Sequence, residues 1–513
     1  MEKRYIVSSG EMKEYDRNTI QYFGVPSLVL MERAAMAVAE EIEERFAPGK
    51  RVLIVAGCGN NGGDGIAVGR ILREHGYEVD FCMIGDREKC SGETETQCGI
   101  IEKYGCPLQD KIGDKEYDIM VDALFGIGLS RNLEGRFAGA VKAINESKAF
   151  VCSVDIPSGI HTDSGGIMGE AVKADLTVTF AFKKPGHVLY PGSGYCGETV
   201  CRDIGITRES FLGETPEIYT FCGSPMEGLP ARDGGGNKGT FGKALVIAGS
   251  VGMSGACELC AGSVYRMGAG MVKIVTPEEN RIIVQSNLPE ALLSTYRMQG
   301  AGQEELLGEL RQRLEKDMEW ADCILIGPGL GKSKEARAML KQVLGESRQP
   351  LVIDADGLNL LAENENLRQL LKECAKAHRE IVLTPHLAEF ARLFGGTVED
   401  IKSNFLHKPK EMAEKYGCTI VCKDARTVVA TPCGREIYLN TSGNDGMATA
   451  GMGDVLTGVI GGLIAQGMDA GKAASLGVYI HGMAGDKAAE EKGRYGLMAG
   501  DVVNCLTKAL WDE

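Results

Sequence analysis

The chain has 513 residues, of which 44% are hydrophobic and 25% are charged, a composition typical of globular domains and too apolar for a disordered protein. Its net charge is −15 and it contains no long Lys/Arg tract, so we expect no nucleic acid and no membrane among its partners. The length predicts two large domains or three small ones, and no apolar run reaches the length of a membrane span.

The first residues, Met1 to Arg4, include no apolar segment, so no signal peptide is predicted and we expect a cytoplasmic protein. The 17 cysteines are odd in number and scattered, which favours buried free thiols. Cys257 and Cys260 form a CxxC pair where we predict a helix. Without a second such pair, this spacing does not favour a metal or redox site.

In the N-terminal part, residues 9–47 are predicted to be helical, with Ser9 capping a first helix and Pro26 opening a second. The apolar run Arg51–Ala56 predicts a buried strand, after which helices and strands alternate. The predicted strands are 51–56, 78–84, 118–122, 150–154 and 176–182, and the predicted helices are 64–74, 92–104 and 135–146. This alternation predicts an α/β fold with a mainly parallel sheet covered on both faces.

Residues 207–236 are rich in proline and glycine and predict a linker with an entry segment. A second alternating series follows, with strands at 243–248, 271–275, 322–326, 350–354 and 380–383, a hairpin of 418–423 and 426–431, and helices at 453–466, 470–490 and 499–510. We therefore predict two α/β domains, residues 1–213 and 229–513, joined by a linker at 214–228.

The first predicted strand leads into Gly57-Cys-Gly-Asn-Asn-Gly-Gly-Asp-Gly65 and then into a helix. Glycines let the backbone approach a ligand, and the N–H groups of a helix N-terminus bind phosphate. The spacing also satisfies the dinucleotide fingerprint GxGxxG, which is a weak signal alone. Asp122 and Asp155 lie at two other predicted strand ends, and such ends meet at one edge of a parallel sheet. The pattern predicts a ligand site at that edge.

The segments NNGGDG, VDALFGxGL and SVDIPSG resemble the YjeF N-terminal family, the NAD(P)H-hydrate epimerases, over about residues 10–206. The resemblance implies a Rossmann-like domain with a potassium ion held by Asn61, Asp122 and Ser158. It also implies that the hydrated nucleotide contacts Asn60, Asn61, Gly62, Gly63, Asp64, Gly126, Ile127, Gly128, Leu129, Ser130, Arg131, Asn132 and Asp155. We choose Asp155 as the acid/base residue, because epimerisation at C6 requires proton transfer and stabilisation of a ring cation.

A second group of residues, Thr449-Ala-Gly-Met-Gly-Asp-Val-Leu-Thr-Gly458, opens an apolar helix. Gly451 and Gly453 permit a tight turn whose N–H groups form an anion hole at the helix start. Asp454 lies in the first turn of that helix. A carboxylate beside an anion hole can deprotonate a hydroxyl that attacks a phosphoryl group. The pattern therefore predicts phosphoryl-transfer chemistry with Asp454 as the base.

This GxGD motif resembles that of the ribokinase-like superfamily, and residues 229–510 resemble the YjeF C-terminal family, the NAD(P)H-hydrate dehydratases. The supporting motifs are KGTFG at 238, GSVGMSGA at 249, GPGLG at 327, DADGLN at 354 and TPH at 384. The resemblance implies a ribokinase-like α/β/α sandwich in which Ala256, Gly329, His386 and Asp454 face the hydrate. It assigns the adenine nucleotide to Lys423, Asp424, Ala425, Arg426, Thr427 and Gly453.

The chain departs from this family's pattern at three places. Asn237 stands where the family has histidine, and Leu387-Ala388 stands where Pro-Gly is common. In the nucleotide loop, Asp424 and Arg426 replace the usual glycines, which bears on nucleotide affinity or preference. The Gly-Asp centre is unchanged.

Together the resemblances imply a bifunctional enzyme that repairs NADHX or NADPHX, the nicotinamide cofactors hydrated at C5–C6. The first domain would interconvert the R and S forms, and the second would dehydrate the S form with ADP, giving AMP and phosphate, with Mg²⁺ bridging the phosphates. A homo-oligomer is expected. Three alternatives stay open: a small-molecule kinase of the ribokinase superfamily with an accessory nucleotide-binding domain, a nicotinamide-dependent dehydrogenase, and a non-catalytic nucleotide sensor.

Overall fold

The computed structural model describes residues 1–297 and 303–511 and divides the chain into two compact units. Tyr5–Ile218 form the N-terminal unit, whereas Met1–Arg4 and the chain from Tyr219 onward form the C-terminal unit. Each unit is an α/β structure built on one sheet, as predicted. Among the described residues, no helix combines the length and the apolar character that a membrane crossing requires.

The helices and strands up to the boundary between the units are β1 (Glu2–Ile6), α1 (Ser9–Gln21), α2 (Ser27–Glu43), β2 (Arg51–Ala56), α3 (Asn60–Glu74), β3 (Glu78–Met83), α4 (Gly92–Lys103), β4 (Leu108–Gln109), β5 (Ile119–Ala123), α5 (Gly135–Glu146), β6 (Phe150–Val154), β7 (Leu176–Phe180), β8 (Glu198–Arg202) and β9 (Ile218–Cys222). The strands predicted in this part are confirmed to within two residues at each end. Helix α3 begins four residues earlier than predicted, so Asn60, Asn61 and Asp64 lie in its first turns.

The N-terminal sheet has seven parallel strands in the order β4-β3-β2-β5-β6-β7-β8. Strand β2 is buried on both faces: Val52 and Ile54 belong to one hydrophobic cluster, and Leu53 and Val55 to another. The strand order reverses at β2, which pairs with β3 on one side and β5 on the other. A crevice forms beyond the carboxyl ends of strands at such a reversal, which is where ligands bind in open parallel sheets.

The cap of α1 is Ser8 rather than the predicted Ser9. The Ser8 side chain accepts a hydrogen bond from the Glu11 backbone N–H, and the Glu11 carboxylate accepts one from the Ser8 backbone N–H. This reciprocal capping box satisfies two of the N–H groups that a helix start leaves unpaired. Ser9 is the first helical residue, and its backbone N–H and hydroxyl instead donate to Asp163.

The remaining elements are β10 (Lys243–Ile247), α6 (Ser254–Arg266), β11 (Met271–Pro277), α7 (Arg281–Asn287), β12 (Leu292–Tyr296), α8 (Gln303–Trp320), β13 (Cys323–Ile326), α9 (Lys334–Glu346), β14 (Leu351–Ile353), α10 (Asp356–Glu363), α11 (Glu365–Lys376), β15 (Ile381–Leu383), α12 (Leu387–Phe394), α13 (Val398–Ser403), α14 (His407–Tyr416), β16 (Thr419–Cys422), β17 (Val428–Ala430), β18 (Ile437–Leu439), α15 (Met452–Ala465), α16 (Ala470–Lys492) and α17 (Ala499–Leu510). Helices α7 to α14 were not assigned from the sequence.

The C-terminal sheet has eleven strands in the order β1-β9-β18-β17-β16-β15-β14-β13-β10-β11-β12. The strands from β12 to β16 are parallel, and the predicted hairpin of β16 and β17 is confirmed as an antiparallel pair. Helices α6, α15, α16 and α17 pack in one large hydrophobic cluster with residues of the central strands. Here too the strand order reverses beside the first strand of the series, since β10 pairs with β11 and β13.

The predicted linker 214–228 is not a plain connector, which corrects the expected division of the chain. It contains β9 and a short 3-10 helix at Pro225–Gly228, and β9 joins the C-terminal sheet together with β1. The flanking prolines and glycines suggested a linker, but Ile-Tyr-Thr-Phe-Cys is a run of β-branched and aromatic residues that suits a half-buried strand. The units therefore divide at residues 4/5 and 218/219.

Candidate active sites

The glycine-rich loop after β2 lies directly against the neighbouring strand end. Gly59 is the cap of α3. A Cβ atom at Gly62 would lie 1.9 Å from the Gly57 carbonyl oxygen, so only glycine fits this close approach of two backbone segments. The first turn of α3 is thereby folded tightly onto the end of β2. The start of a helix at the carboxyl end of a strand is a position that can receive an anionic ligand.

A cavity of about 540 Å³ opens at this edge of the N-terminal sheet. It brings together many of the predicted epimerase residues, namely Asn60, Asn61, Asp64, Gly126, Ile127, Gly128, Leu129 and Asp155. Gly62 and Gly63 are buried within α3 and do not line it. Ser130, Arg131 and Asn132 are exposed beyond Leu129 and do not line it either.

Asp155 is held in an unusual conformation beside a buried lysine. Its φ angle is +65°, in the left-handed region that non-glycine residues seldom adopt. Its carboxylate accepts hydrogen bonds from the Lys184 ammonium at 2.6 Å and from the Thr179 hydroxyl at 2.9 Å. Burial alone would raise the pKa of Asp155, but the charge and the hydrogen bond of Lys184 outweigh it and hold the pKa below its usual value. Asp155 is therefore an ionised carboxylate at neutral pH.

His187 fixes the backbone of Asp155. The Lys184 backbone N–H donates to His187 Nδ1 at 2.9 Å, which leaves the proton on Nε2, and Nε2 donates to the Asp155 carbonyl oxygen at 2.8 Å. Burial and the Lys184 charge lower the pKa of His187 to about 4, so the ring is neutral. Sequence analysis missed Lys184 and His187. A usable signal was their position shortly after the buried strand β7, which neighbours the strand leading to Asp155.

Two further carboxyl groups line the same cavity. Burial, followed by the charges of Asp155 and Asp16, raises the pKa of Asp64 well above its ordinary value. Burial and the charge of Glu93 raise the pKa of Asp16, which lies on α1 outside every predicted motif. The cavity thus contains two carboxyl groups whose pKa values are shifted in opposite directions, upward for Asp64 and downward for Asp155. Opposite pKa shifts of two carboxyl groups are typical of an acid and a base in one active site.

Asp122 and Ser158 form one buried cluster. The Asp122 carboxylate accepts hydrogen bonds from the Ser158 hydroxyl at 2.6 Å and its backbone N–H at 2.9 Å, and from the Ser153 hydroxyl at 2.8 Å. Burial raises the pKa of Asp122, and these bonds counteract the rise. Asn61 packs against Gly126, and its buried Nδ2 has no hydrogen-bond partner. A buried amide N–H2 group without a partner points to a bound hydrogen-bond acceptor, such as a water or a ligand oxygen.

In the C-terminal unit, the GxGD turn has the predicted form. Gly451 caps α15 with a φ of +89°, a value that glycine adopts without strain, and Asp454 lies in the first turn of the helix. Burial and the charge of Asp354 raise the pKa of Asp454 to about 7, although Lys423 counteracts this. A carboxylate with such a pKa is matched to general-base work near neutral pH.

Lys423 and Asp354 form a buried ion pair beneath this turn. The Lys423 ammonium donates to the Asp354 carboxylate at 2.8 Å, and the Thr457 hydroxyl donates to its other oxygen at 2.7 Å. A Cβ atom at Gly453 would lie 3.2 Å from Lys423 Nζ, so the pair lies directly against the Gly453 backbone. The lysine is thus positioned beside the anion hole, where its charge can act on a phosphate. Sequence analysis gave Thr457 no role.

The predicted hydrate-facing residues come from three further loops. A Cβ atom at Gly329 would lie 2.7 Å from the Ala256 Cβ, so these two residues are in contact. His386 caps α12, with Nδ1 accepting hydrogen bonds from the backbone N–H groups of Ala388 and Glu389. Its proton is therefore on Nε2, and burial and the Lys423 charge lower the pKa of the half-exposed ring. His386 is thus a structural cap whose Nε2 lies 3.4 Å from the Glu389 carboxylate.

Asp424 and Arg426, which depart from the family pattern in the predicted nucleotide loop, each contact another segment of the C-terminal unit. Arg426 donates to the carbonyl oxygens of Thr441 at 3.3 Å and Gly443 at 3.5 Å, and Asp424 forms an ion pair with Lys402 at 3.7 Å. Asp424 and Ala425 are exposed, and Thr427 lies just before β17. Arg426 thus ties the loop between β16 and β17 to the segment that follows β18.

The cysteines are reduced and scattered through both units. Cys257 and Cys260 lie in α6 as predicted, and burial raises the pKa of Cys257 to about 12 and that of Cys260 well above its ordinary value. All 17 cysteines are free. Within the described ranges, His, Cys, Asp and Glu form no group of three or more arranged to hold a metal ion.

Comparisons with known proteins match both units. The sequence pattern of a family described as YjeF-related protein N-terminus matches residues 27–186, and that of NAD(P)H-hydrate dehydratase matches residues 244–508. The bifunctional NAD(P)H-hydrate repair enzyme Nnr of Moorella thermoacetica is 36% identical over 99% of this chain and 96% of its own. The enzyme of the same name in Thermofilum pendens is 36% identical over 98% of this chain and 95% of its own.

Among solved structures, the ADP/ATP-dependent NAD(P)H-hydrate dehydratase of Bacillus subtilis, co-crystallised with ATP and Mg²⁺, is 29% identical, with a TM-score of 0.46. That alignment covers 56% of this chain and 94% of the other. The two matched families and the full-length relatives account for both units of the structure. This chain therefore belongs to the family of bifunctional NAD(P)H-hydrate repair enzymes.

Proposed function

We propose that the N-terminal unit epimerises R and S NAD(P)HX and that the C-terminal unit dehydrates the S form with ADP, giving NAD(P)H, AMP and phosphate. The observation that carries the proposal is the Asp454 carboxyl group, whose pKa of about 7 places a base beside a helix N-terminus that can hold a phosphoryl group. A cytoplasmic location and a homo-oligomeric state stay predictions.

In the epimerase cavity, the two carboxyl groups with opposite pKa shifts would work together. Asp64 would donate its proton to the C6 hydroxyl, which leaves as water while the ring nitrogen lone pair forms a C6–N double bond. Asp155 would stabilise the resulting ring cation and accept a proton when water adds to C6. Lys184 keeps Asp155 ionised, which supports this division of roles. The residues proposed to bind the hydrate are the members of the predicted set that line the cavity, with Asp16 added.

We propose potassium as the ion of this site, held by Asn61, Asp122 and Ser158. The donor chemistry fits, because one carboxylate with neutral amide and hydroxyl oxygens suits a large monovalent cation. The Asn61 amide oxygen would be the ligand of the ion, and its unpaired Nδ2 would donate to a bound water or nucleotide oxygen. Potassium would supply positive charge near the nucleotide phosphates. The chain itself holds the Asp122–Ser158 cluster rigid through the hydrogen bonds of Ser153 and the Ser158 backbone.

In the dehydratase site, Asp454 would take the proton of the C6 hydroxyl, and that oxygen would attack the terminal phosphoryl group of ADP, releasing AMP. Phosphate would then leave C6 with the help of the ring nitrogen lone pair, and loss of a C5 proton would restore NAD(P)H. The N–H groups after Gly451 and the Lys423 ammonium would bind the transferred phosphoryl group. Ala256, Gly329 and His386 would line the hydrate, and residues 423–427 with Gly453 would bind the adenine nucleotide.

Mg²⁺ is proposed as the partner of the nucleotide phosphates. The Asp354 oxygens are occupied by Lys423 and Thr457, and Asp356 accepts a hydrogen bond from the Gly331 backbone N–H. Few free carboxylate oxygens remain, which fits an ion that keeps its waters and is held mainly by phosphate oxygens. Bound there, Mg²⁺ would neutralise charge on the phosphates.

The test is to incubate the full chain with a mixed R/S pool of NADHX and follow the absorbance of reduced nicotinamide. Complete recovery that requires ADP supports the proposal. Oxidation of added NADH indicates a dehydrogenase, and ADP-dependent phosphorylation of another small molecule without recovery indicates a kinase. Binding of the hydrate without turnover indicates a sensor. Omission of potassium should slow only the interconversion of the R and S forms.

A further inference from the structure

Cys58 lies in the glycine-rich loop, two residues before Asn60, and faces the segment that follows β3. Its thiol donates to the Asp86 carbonyl oxygen at 3.3 Å. A Cβ atom at Gly85 would lie 2.2 Å from Cys58 Sγ, so the loop and that segment are in close contact. Neither the fold nor the proposed chemistry requires a thiol at this position, and Cys58 is partly exposed to solvent.

Cys90 brings a second thiol to the same place. Its thiol donates to Met83 Sδ at 3.8 Å, and the backbone N–H of Ser91 donates to the Cys58 carbonyl oxygen at 3.0 Å. The Cys58 Cα lies about 2.4 Å from its own carbonyl oxygen, and the Cys90 Cα lies about 2.4 Å from the Ser91 nitrogen. The Cα atoms of the two cysteines are therefore at most about 8 Å apart. The usual separation in a disulfide, about 4.4 to 6.8 Å, is within reach of a small backbone movement.

The segment that carries Cys90 also supports the epimerase cavity. Ser91 donates to the Thr94 hydroxyl at 2.9 Å, and that hydroxyl donates to the carbonyl oxygen of Gly59, the cap of α3, also at 2.9 Å. Glu93 lines the same cavity as Asn60. A shift of Cys58 relative to Cys90 therefore changes the position of the loop that presents Asn60 and Asn61.

We propose that Cys58 and Cys90 are an oxidative modification site, in which a peroxide converts the two thiols into a reversible disulfide that slows the epimerase site beside it. The Cys58 thiol loses its proton, its sulfur attacks peroxide and the O–O bond breaks, so that Cys58 sulfenic acid forms and the departing hydroxide takes up the proton as water. Cys90 sulfur then attacks Cys58 sulfur, the S–O bond breaks, and the Cys90 proton leaves with the hydroxide as a second water. A dithiol reductant reverses the process by thiol–disulfide exchange.

The order of attack follows from the surroundings of Cys90. Burial and the neighbouring Cys58 raise the pKa of the Cys90 thiol to about 12, so Cys90 stays protonated at neutral pH and is the resolving thiol. Forming an S–S bond of about 2.05 Å draws the two sulfur atoms together. This pulls Cys58 toward residue 90 and displaces Gly59 and Asn60. Misplacement of binding groups by about 1 Å can cost 10²-fold in rate.

Peptide mapping of the peroxide-treated full chain tests the disulfide without any assay of activity. Trypsin releases Cys58 between Arg51 and Arg70 and cleaves after Lys89, and cleavage after Glu93 or Glu95 separates Cys90 from Cys98. We expect the Cys58 and Cys90 peptides to be joined, about 2 Da lighter than the two thiol peptides together, and to separate with dithiothreitol. Absence of this pair after full oxidation, or linkage of either cysteine to another, overturns the site.

The functional effect rests on the proposed epimerase assignment and is measured separately. With a mixed R/S pool and ADP, oxidation should slow the phase that is limited by epimerisation at least ~10-fold. Dithiothreitol should restore the rate of this phase, and the conversion of the S form should be unchanged throughout. Cys90→Ser should retain the basal rate and lose the response. Cys98→Ser, at a fully buried cysteine, should keep the response.

A quantitative Cys58–Cys90 disulfide with unchanged epimerisation overturns the link to the active site. A response that persists in Cys90→Ser overturns it as well. If the chain forms the disulfide on oxidation but shows no epimerisation in its reduced state, the proposed function is contradicted and the modification site is not. The two failures are therefore distinguishable.

Discussion

The two units each contain a buried lysine–aspartate pair beside the candidate acid/base carboxylate, but the lysine contacts a different partner in each. In the N-terminal unit, Lys184 donates directly to Asp155. In the C-terminal unit, Lys423 donates to Asp354, and Asp454 is a third group nearby. The pKa of Asp155 is accordingly lowered, whereas burial and Asp354 raise that of Asp454 to about 7. The choice of lysine partner thus decides which carboxylate stays ionised and which can exchange a proton near neutral pH.

The largest expected effect is that of Asp454→Asn, which removes the base but keeps the shape of the side chain. Dehydration should fall at least ~10²-fold, while epimerisation is unchanged. The measurement is ADP-dependent recovery of reduced nicotinamide from the S form. Asp501→Asn is a matched control, because Asp501 also lies in the first turn of a helix in the same unit. Dehydration at the wild-type rate in Asp454→Asn would rule out the proposed base.

Asp155→Asn should slow epimerisation by about 10²-fold, so that a mixed pool stalls after the S fraction has been converted. The exposed Asp110→Asn in the same unit serves as the control. Because the variant leaves Lys184 buried without its partner charge, a loss of roughly 3–5 kcal/mol in stability is also expected. The double variant Asp155→Asn/Lys184→Met should recover most of the melting temperature but none of the epimerisation. Recovery of activity in the double variant would show that Asp155 serves stability alone.

The pH profiles of the two reactions should have opposite slopes. Asp454 works as a base and must be ionised, so dehydration should rise with pH up to about 7 and fall roughly tenfold per unit below it. Asp64 works as an acid and must be protonated, so epimerisation should decline as pH rises through its elevated pKa. Rates of each reaction measured separately across pH check this. Parallel profiles would contradict the contrast between the two sites.

The smallest effect is expected at the nucleotide loop. Arg426→Gly restores the glycine of the family pattern but removes the bonds to the carbonyl oxygens of Thr441 and Gly443. We expect a change of a few-fold in the KM for ADP with kcat nearly unchanged, about 1 kcal/mol, because the loop becomes less ordered without touching Asp454. Lys402→Ala, which removes the ion pair of exposed Asp424, is the matched control. A large fall in kcat would place Arg426 in the chemistry instead.

Spacing along the chain was sufficient to locate both sites. Gly57–Gly65, Asp122, Asp155 and Asp454 lie at the strand ends or helix starts where the motifs predicted them, because the carboxyl ends of parallel strands meet at one edge. Cap position, linker and helix boundaries were less accurate. Ser8 and not Ser9 caps α1, α3 begins at Asn60, and β9 lies within the predicted linker. Local sequence signals define the ends of an element only to within a few residues, because neighbouring residues can serve as caps or end positions equally well.

The sequence by itself determined the two α/β units, their motifs and the residue types of the two sites. Only the tertiary structure decided the charge states of those residues. Lys184 contacts Asp155 across 29 residues, Lys423 contacts Asp354 across 69, and Thr457 contacts Asp354 across 103. No local pattern encodes such pairs, whereas the pKa of a buried carboxyl group depends on its desolvation and on which charge lies next to it. The motifs therefore located the candidate acid and base residues, and the packing of distant segments determined the direction in which the pKa of each is shifted.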